Sequence, residues 1–295
     1  MLALGLIVGS DLNHWEILKS FDRVEIETPF GPASSPLWIG HFKGVRLVVL
    51  FRHGERADLM PSEVNYRANI YALKVSGVQK IIALESVSGL SKTLHSGQFV
   101  LSNESIDLTS NRSASFSSVS FSSLLEAGTH PLKHKTSSLS LVDSLSNFLL
   151  KAKAKVETKG VCLCIDDFMR SNSAEVRLFQ SWNVTILGSS LATEDKLSRE
   201  AQLEYVHVGM VAEHSELESS KPGTLQAHKR TLNKMTALFT KALEGVCGKL
   251  AAQDLKVLAL GPGRAQKGLG RGKRNIYQFK SSRDSNRTRR KQASR

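Results

Sequence analysis

The sequence predicts an α/β fold, a mixed and largely parallel central sheet flanked by helices. Short continuous apolar runs, such as residues 2–8 and 45–51, have the length and β-branched content of strands buried on both faces. Other stretches place apolar residues at helical spacing, among them Leu232, Met235, Leu238 and Ala242. Strand-like and helix-like segments alternate along the chain, the order that builds parallel sheets through crossover helices.

The first run, residues 2–8, ends in Gly9-Ser10 and reads as a central strand feeding a phosphate-type loop. Residues 1–9 lack a basic leader and are too short to span a bilayer, so neither a signal peptide nor membrane attachment is expected. Residues 24–28 and 37–42 flank the turn Pro29-Phe30-Gly31-Pro32, and residues 45–51 form the next strand. Pro61 opens a helical pattern over residues 64–75, followed after Gly77 by a strand at 80–84. Residues 102–146 are serine-rich without clear periodicity and are expected to form a long mobile loop. Helices are then expected at 141–154, 174–182, 193–202 and 228–250, with strands at 160–165, 184–187 and 205–211. Beyond Gly261-Pro262-Gly263 the composition changes. Residues 1–258 are therefore expected to form one domain, and 259–295 a basic tail that is extended on its own.

The net charge of +13 is concentrated in that tail. Residues 264–295 hold twelve Lys and Arg against the single acid Asp284, which leaves 28 basic and 26 acidic groups in residues 1–263. The body is nearly neutral. In the tail, Arg271, Lys273, Arg274, Arg287, Arg289 and Arg290 are interleaved with glycines and with Tyr277 and Phe279. This mixture suits phosphate backbones and base stacking, so RNA or a ribonucleoprotein is the expected partner. A localisation signal or a plain solvated tail are the competing readings. Cys162, Cys164 and Cys247 make no disulfide framework and no metal signature. An intracellular, reducing compartment is expected, with cytoplasm, nucleus and mitochondrion left undistinguished.

Several segments carry a family likeness. They are Leu6-Ile7-Val8-Gly9-Ser10, Glu27-Thr28-Pro29-Phe30-Gly31-Pro32, Arg52-His53-Gly54, and Met60-Pro61-Ser62-Glu63-Val64-Asn65-Tyr66-Arg67-Ala68-Asn69-Ile70. At this spacing they resemble the trimeric purine nucleoside and methylthioadenosine phosphorylases, with the methylthioadenosine branch favoured by the T-P-F-G-P and V-N-Y-x-A-N-I wording. The resemblance implies attack of phosphate on the anomeric carbon of a purine nucleoside, releasing the purine and a pentose 1-phosphate. It implies no metal and no organic cofactor, only phosphate as co-substrate. It also implies a homotrimer in which each site is completed by a neighbour, or a mixed trimer with an active relative.

Carried over residue by residue, the resemblance assigns Ser10, Arg52, His53 and Ser190 to phosphate, and Glu213 to assisting departure of the purine. Other positions depart from the family pattern. Asp11 replaces a loop glycine, Glu85 a phosphate-binding threonine, Ser189 the methionine under the sugar, and Arg170 an aromatic against the base. Asp167 and Phe168 stand where the family has Gly-Pro, and Ser215 where it has a second acid. A carboxylate about 4 Å from phosphate repels it by ~1 kcal/mol in water and ~4 kcal/mol at an effective dielectric near 20. Weak or lost phosphorolysis is therefore expected unless Glu85 turns away, with a binding or structural role acting through the tail. The alternative is an active phosphorylase that cleaves methylthioadenosine or another purine nucleoside. Simpler roles stand beside these: Arg52 and His53 as a structural pair bonding loop carbonyls, and Glu213 as a solvent-facing acid. His14, His41, His95 and His130 are expected at the surface, and Asp166-Asp167 as a solvated loop pair rather than a metal site.

Overall fold

The computed structural model describes residues 2–9, 15–117, 139–166, 172–214 and 224–259. Strand β1 (Ala3–Val8) runs parallel to β4 (Val45–Phe51) on one side and to β5 (Lys80–Gly89) on the other. All six residues of β1 are buried, as its continuous apolar sequence requires. A single 3-10 turn at Glu16–Ser20 leads into β2 (Asp22–Val24), which pairs antiparallel with β3 (Leu37–Phe42), itself antiparallel to β4.

Beyond β5 the sheet curls. Strands β6 (Phe99–Asp107), β7 (Val156–Cys164), β8 (Ile186–Gly188) and β9 (Glu204–His214) continue it in the order β5-β8-β7-β6-β9. Strand β9 also pairs in parallel with β5 along its whole length, so these five strands close into a ring. The sheet is mixed: β6–β7 and β7–β8 are parallel, whereas β5–β8 and β6–β9 are antiparallel.

Helices cover both faces. Helix α1 (Tyr66–Val75) and α4 (Leu191–Glu200) contribute to one core with Ile7, Leu50, Ile81 and Val211. On the other face α2 (Leu139–Lys151) and the long α5 (Thr224–Ala259) pack with Leu6, Val49, Phe99 and Val208. The short α3 (Ser173–Ser181) is started by Asn172, whose side chain accepts from the N–H groups of Ala174 and Glu175 while Glu175 accepts from the Asn172 N–H.

The main departure from the sequence-based expectation is β6. Its second half, Ser102-Asn103-Glu104-Ser105, was expected to belong to the serine-rich loop, yet it is paired to β7 through two register shifts. Backbone hydrogen bonds from neighbouring strands hold it where apolar periodicity is absent. Within the expected loop, residues 102–117 and 139–146 are described; the rest lie outside the described residues. Strand β5 runs five residues past its expected end, and α5 is longer at both ends than expected. Among the described residues no helix is long and apolar enough to cross a membrane.

Candidate functional site

The chain places Arg52 one residue past β4, where its N–H donates to the Val8 carbonyl at 2.9 Å and ties the ends of β1 and β4 together. Its side chain turns inward and is completely buried. Glu194, in the first turn of α4, meets it with a two-pronged ion pair, Nε to Oε1 at 2.6 Å and Nη2 to Oε2 at 3.1 Å. Arg52 Nη1 donates to the Leu84 carbonyl at 2.9 Å, and the Tyr205 hydroxyl donates to Glu194 at 2.8 Å. Burial works against the Arg52 charge, but the Glu194 carboxylate more than offsets it and holds the guanidinium above its ordinary range. Burial and the neighbouring Arg52 charge push His53 down, and its Nδ1 lies 2.9 Å from the Leu59 carbonyl. That carbonyl can only accept, so Nδ1 carries the proton. His53 thus bonds a loop carbonyl, whereas the carbonyl that Arg52 meets belongs to Leu84 within β5, and its main partner is Glu194.

Glu85, midway along β5, points into the buried region at the entry to α4. Its Oε1 accepts from the Ser189 N–H at 2.6 Å and the Ser189 hydroxyl at 2.8 Å. Its Oε2 accepts from the Ser190 hydroxyl at 2.7 Å and lies 3.0 Å from His207 Nε2. The carboxylate accepts only, so Nε2 bears a proton; Nδ1 of the same ring lies 3.1 Å from the Ser102 hydroxyl. Ser189 and Ser190 form the entry to α4, so Glu85 sits at a helix N-terminus, where exposed N–H groups and the helix dipole favour an anion. Gly188 provides the room: a Cβ there would stand 3.3 Å from both Glu85 oxygens and 3.1 Å from the Cys162 sulfur. Burial raises the cost of the Glu85 charge, yet His207, Arg52 and Ser190 together hold the carboxyl well below the usual carboxylate range.

A third group closes the outer side. Arg112 donates through Nη1 to the Tyr66 hydroxyl at 3.1 Å and to the Ser189 carbonyl, and its Nε pairs with Asp166 at 2.8 Å. Asp166 also accepts from the N–H and hydroxyl of Ser110, at 2.6 and 2.7 Å. Asp166 is therefore half of a built ion pair rather than a solvated loop acid; Asp167 lies outside the described residues.

Of the residues nominated from sequence, the fold brings Arg52, Ser190, Glu85 and Ser189 to the same buried region, with His53 next to Arg52. Glu213 stands on β9 in register with Ser88 of β5. Ser10, Asp11, Arg170 and Ser215 lie outside the described residues, as do the tail residues Arg271, Lys273, Arg274, Tyr277, Phe279, Arg287, Arg289 and Arg290. His41 and His95 are exposed as expected, while His14 and His130 fall outside the described residues. Sequence reasoning missed Glu194, Tyr205, His207 and Arg112. The one local signal was polar residues set into buried segments, as His207 is within the apolar run of β9. No group of three or more His, Cys, Asp or Glu among the described residues is placed to hold a metal ion.

Comparison with known proteins gives the fold a name. The model of the phosphorylase superfamily matches residues 3–247. An S-methyl-5'-thioadenosine phosphorylase of Thermofilum pendens is 30% identical over 244 residues, covering 81% of this chain and 89% of its own. One from Nitrosopumilus maritimus is 31% identical over 250 residues, covering 84% and 91%. Among solved structures, a methylthioadenosine phosphorylase from an antarctic soil metagenomic library superposes with a TM-score of 0.71 at 26% identity, covering 86% of this chain and 88% of that one. The adenosine/methylthioadenosine phosphorylase of Schistosoma mansoni, as a double mutant, gives 0.76 at 24% identity over 88% of this chain and 95% of that one, a likeness of fold. The chain belongs to the phosphorylase superfamily, within its nucleoside phosphorylase family.

Proposed function

We propose that this protein keeps the nucleoside phosphorylase fold but has filled its oxyanion cradle with its own Glu85. Phosphorolysis of methylthioadenosine or another purine nucleoside is then weak or lost, and the protein works as a binding or structural subunit whose basic tail contacts RNA. The observation that carries this reading is the placement of the Glu85 carboxylate on the donors of Ser189, Ser190 and His207. By the family resemblance, Ser190 is a phosphate ligand and Glu85 stands where a phosphate-binding threonine does. An entering phosphate would have to displace an ionised side chain from four hydrogen bonds while being repelled by it, by ~4 kcal/mol at 4 Å and an effective dielectric near 20. Because the carboxyl is held below its ordinary range, protonation near neutral pH does not relieve the repulsion. The same depression makes Glu85 a poor base for activating water, so hydrolysis does not replace phosphorolysis.

The remaining parts of the site keep the roles that the resemblance assigns. Ser10, Arg52, His53 and Ser190 are the phosphate ligands, and Glu213 is the acid near the purine. Arg52 spends three of its five N–H groups on Glu194 and Leu84, which leaves it as a fixed positive field more than a free clamp. The body, residues 1–258, associates as a homotrimer or with an active relative in an intracellular compartment, and residues 259–295 supply the basic charge that contacts RNA.

The test is phosphate-dependent purine release from methylthioadenosine, adenosine and inosine, with phosphate binding measured in parallel. We expect no release above the blank for the wild-type chain, and phosphate binding to appear in Glu85→Thr. Turnover by the wild type that disappears in Arg52→Ala overturns the proposal and establishes the active phosphorylase.

A further inference from the structure

We infer that the outer crest of α5 is a docking track for the sugar-phosphate backbone of a nucleic acid, working together with the basic tail. The inference rests on the reading of the tail as an RNA contact, and its test separates the two.

Helix α5 buries one stripe, marked by Leu232, Met235, Phe239, Ala242 and Val246. Arg230, Lys234 and Lys241 follow at spacings of four and seven residues, which at about 100° per residue gathers them within about 40° on a crest facing away from that stripe. All three are exposed, and Lys229 is exposed beside them. Between residues 224 and 243 the helix carries these four cations and not one Asp or Glu. A merely solvated helix face interleaves both signs. The first acid, Glu244, is turned aside to Lys43 of the β3–β4 turn at 3.6 Å. None of the four cations forms an ion pair with a described residue.

The chemistry of the crest selects its occupant. From Arg230 to Lys241 it runs about 16 Å, a straight row of positive charge that faces a linear array of phosphates. Its other exposed positions are Asn233 and Ala237, so it offers no large apolar side chain to enter a lipid surface. A second copy of the same crest would meet it with like charge. The chain continues from this helix into residues 264–295, whose +11 is mixed with Tyr277 and Phe279 for base stacking. Fully extended, those 32 residues span about 100 Å, ample reach to lie along the same bound strand as the crest.

The experiment compares three full-fold proteins: the wild type, the triple variant Arg230→Gln/Lys234→Gln/Lys241→Gln, and a chain ending at residue 263. Each is titrated with a mixed-sequence single-stranded RNA 20-mer across a salt series, with circular dichroism as a check on folding. The triple variant is expected to bind on the order of tenfold more weakly, with a salt slope shallower by about 2, since each released contact contributes about 0.7. An unchanged affinity and slope in the triple variant overturns the crest while leaving the tail reading intact, provided that the truncated chain has lost binding. Failure of the wild type to bind RNA overturns both. Anionic vesicles of phosphatidylserine are the control: crest-dependent binding to them as tight as to RNA overturns the assignment to nucleic acid.

Discussion

At the scale of the residue, the consequential side chain is the buried acid at position 85. A buried carboxylate survives only when its hydrogen bonds are met, and here four donors from two separate segments, the entry to α4 and β9, meet them. Removing it leaves the Ser189 N–H, two hydroxyls and the His207 N–H facing nothing. Glu85→Ala is therefore expected to lower unfolding stability by about 3 kcal/mol in urea titrations, more than a surface Glu→Ala would. The pH dependence has a definite sign. The folded carboxyl lies below its unfolded value of 4.5, so its stabilisation is present above that pH and is lost as pH falls through the folded value. The stability gap between wild type and Glu85→Gln should thus be widest near pH 7 and shrink as the pH is lowered through 4. A gap that grows on acidification would contradict the assignment.

At the scale of the element, several segments owe their shape to one residue. Helix α3 is short and half exposed, and its reciprocal cap through Asn172 and Glu175 supplies what propensity does not. Asn172→Ala should cost about 1 kcal/mol in the same unfolding assay. In β3, Gly40 lies under the ring of Phe21, and a Cβ there would come within 2.2 Å of it. Gly40→Ala forces that ring off the strand and should destabilise by about 1–3 kcal/mol. The strand ring that closes β5 against β9 has the same economy: Gly209 leaves space for Val87 and Ile186, which a Cβ would meet at 3.1 and 2.9 Å. That close approach keeps Glu85 on β5 and His207 on β9 in neighbouring registers.

Across the whole molecule, the net charge is concentrated in one segment while the cysteines are enclosed in the core. The excess cations lie in residues 264–295, outside the nearly neutral body, and within the described residues α5 contributes the acid-free crest. All three cysteines are free and buried. Burial pushes Cys247 up to about 12, and Cys164 beside it together with burial pushes Cys162 well above its ordinary value. Thiolate is the reactive form, so the native protein should not react with a thiol-specific disulfide reagent at pH 8, and three equivalents should appear on unfolding. Rapid native labelling would show that the core around β7, or under α5 where Cys247 lies, opens readily.

The sequence by itself determined the alternation of strands and helices, the apolar core runs, the family likeness carried by Arg52-His53-Gly54 and the segment after Met60, and the nomination of positions 85 and 189 as departures from the family pattern beside a retained Ser190. These are local signals, carried by neighbours in the chain and by periods of two and 3.6 residues. What only the tertiary structure decided was the direction of the Glu85 side chain, its room beside Gly188, and the partners Glu194 and His207. Those facts join residues about one hundred or more positions apart through hydrogen bonds that leave no periodic trace in sequence. The same reason hid the second half of β6, whose polar residues are held as a strand by the backbone of β7. An acid at position 85 could be read as a conflict from the sequence; that it is answered by donors from α4 and β9 could be read only from the fold.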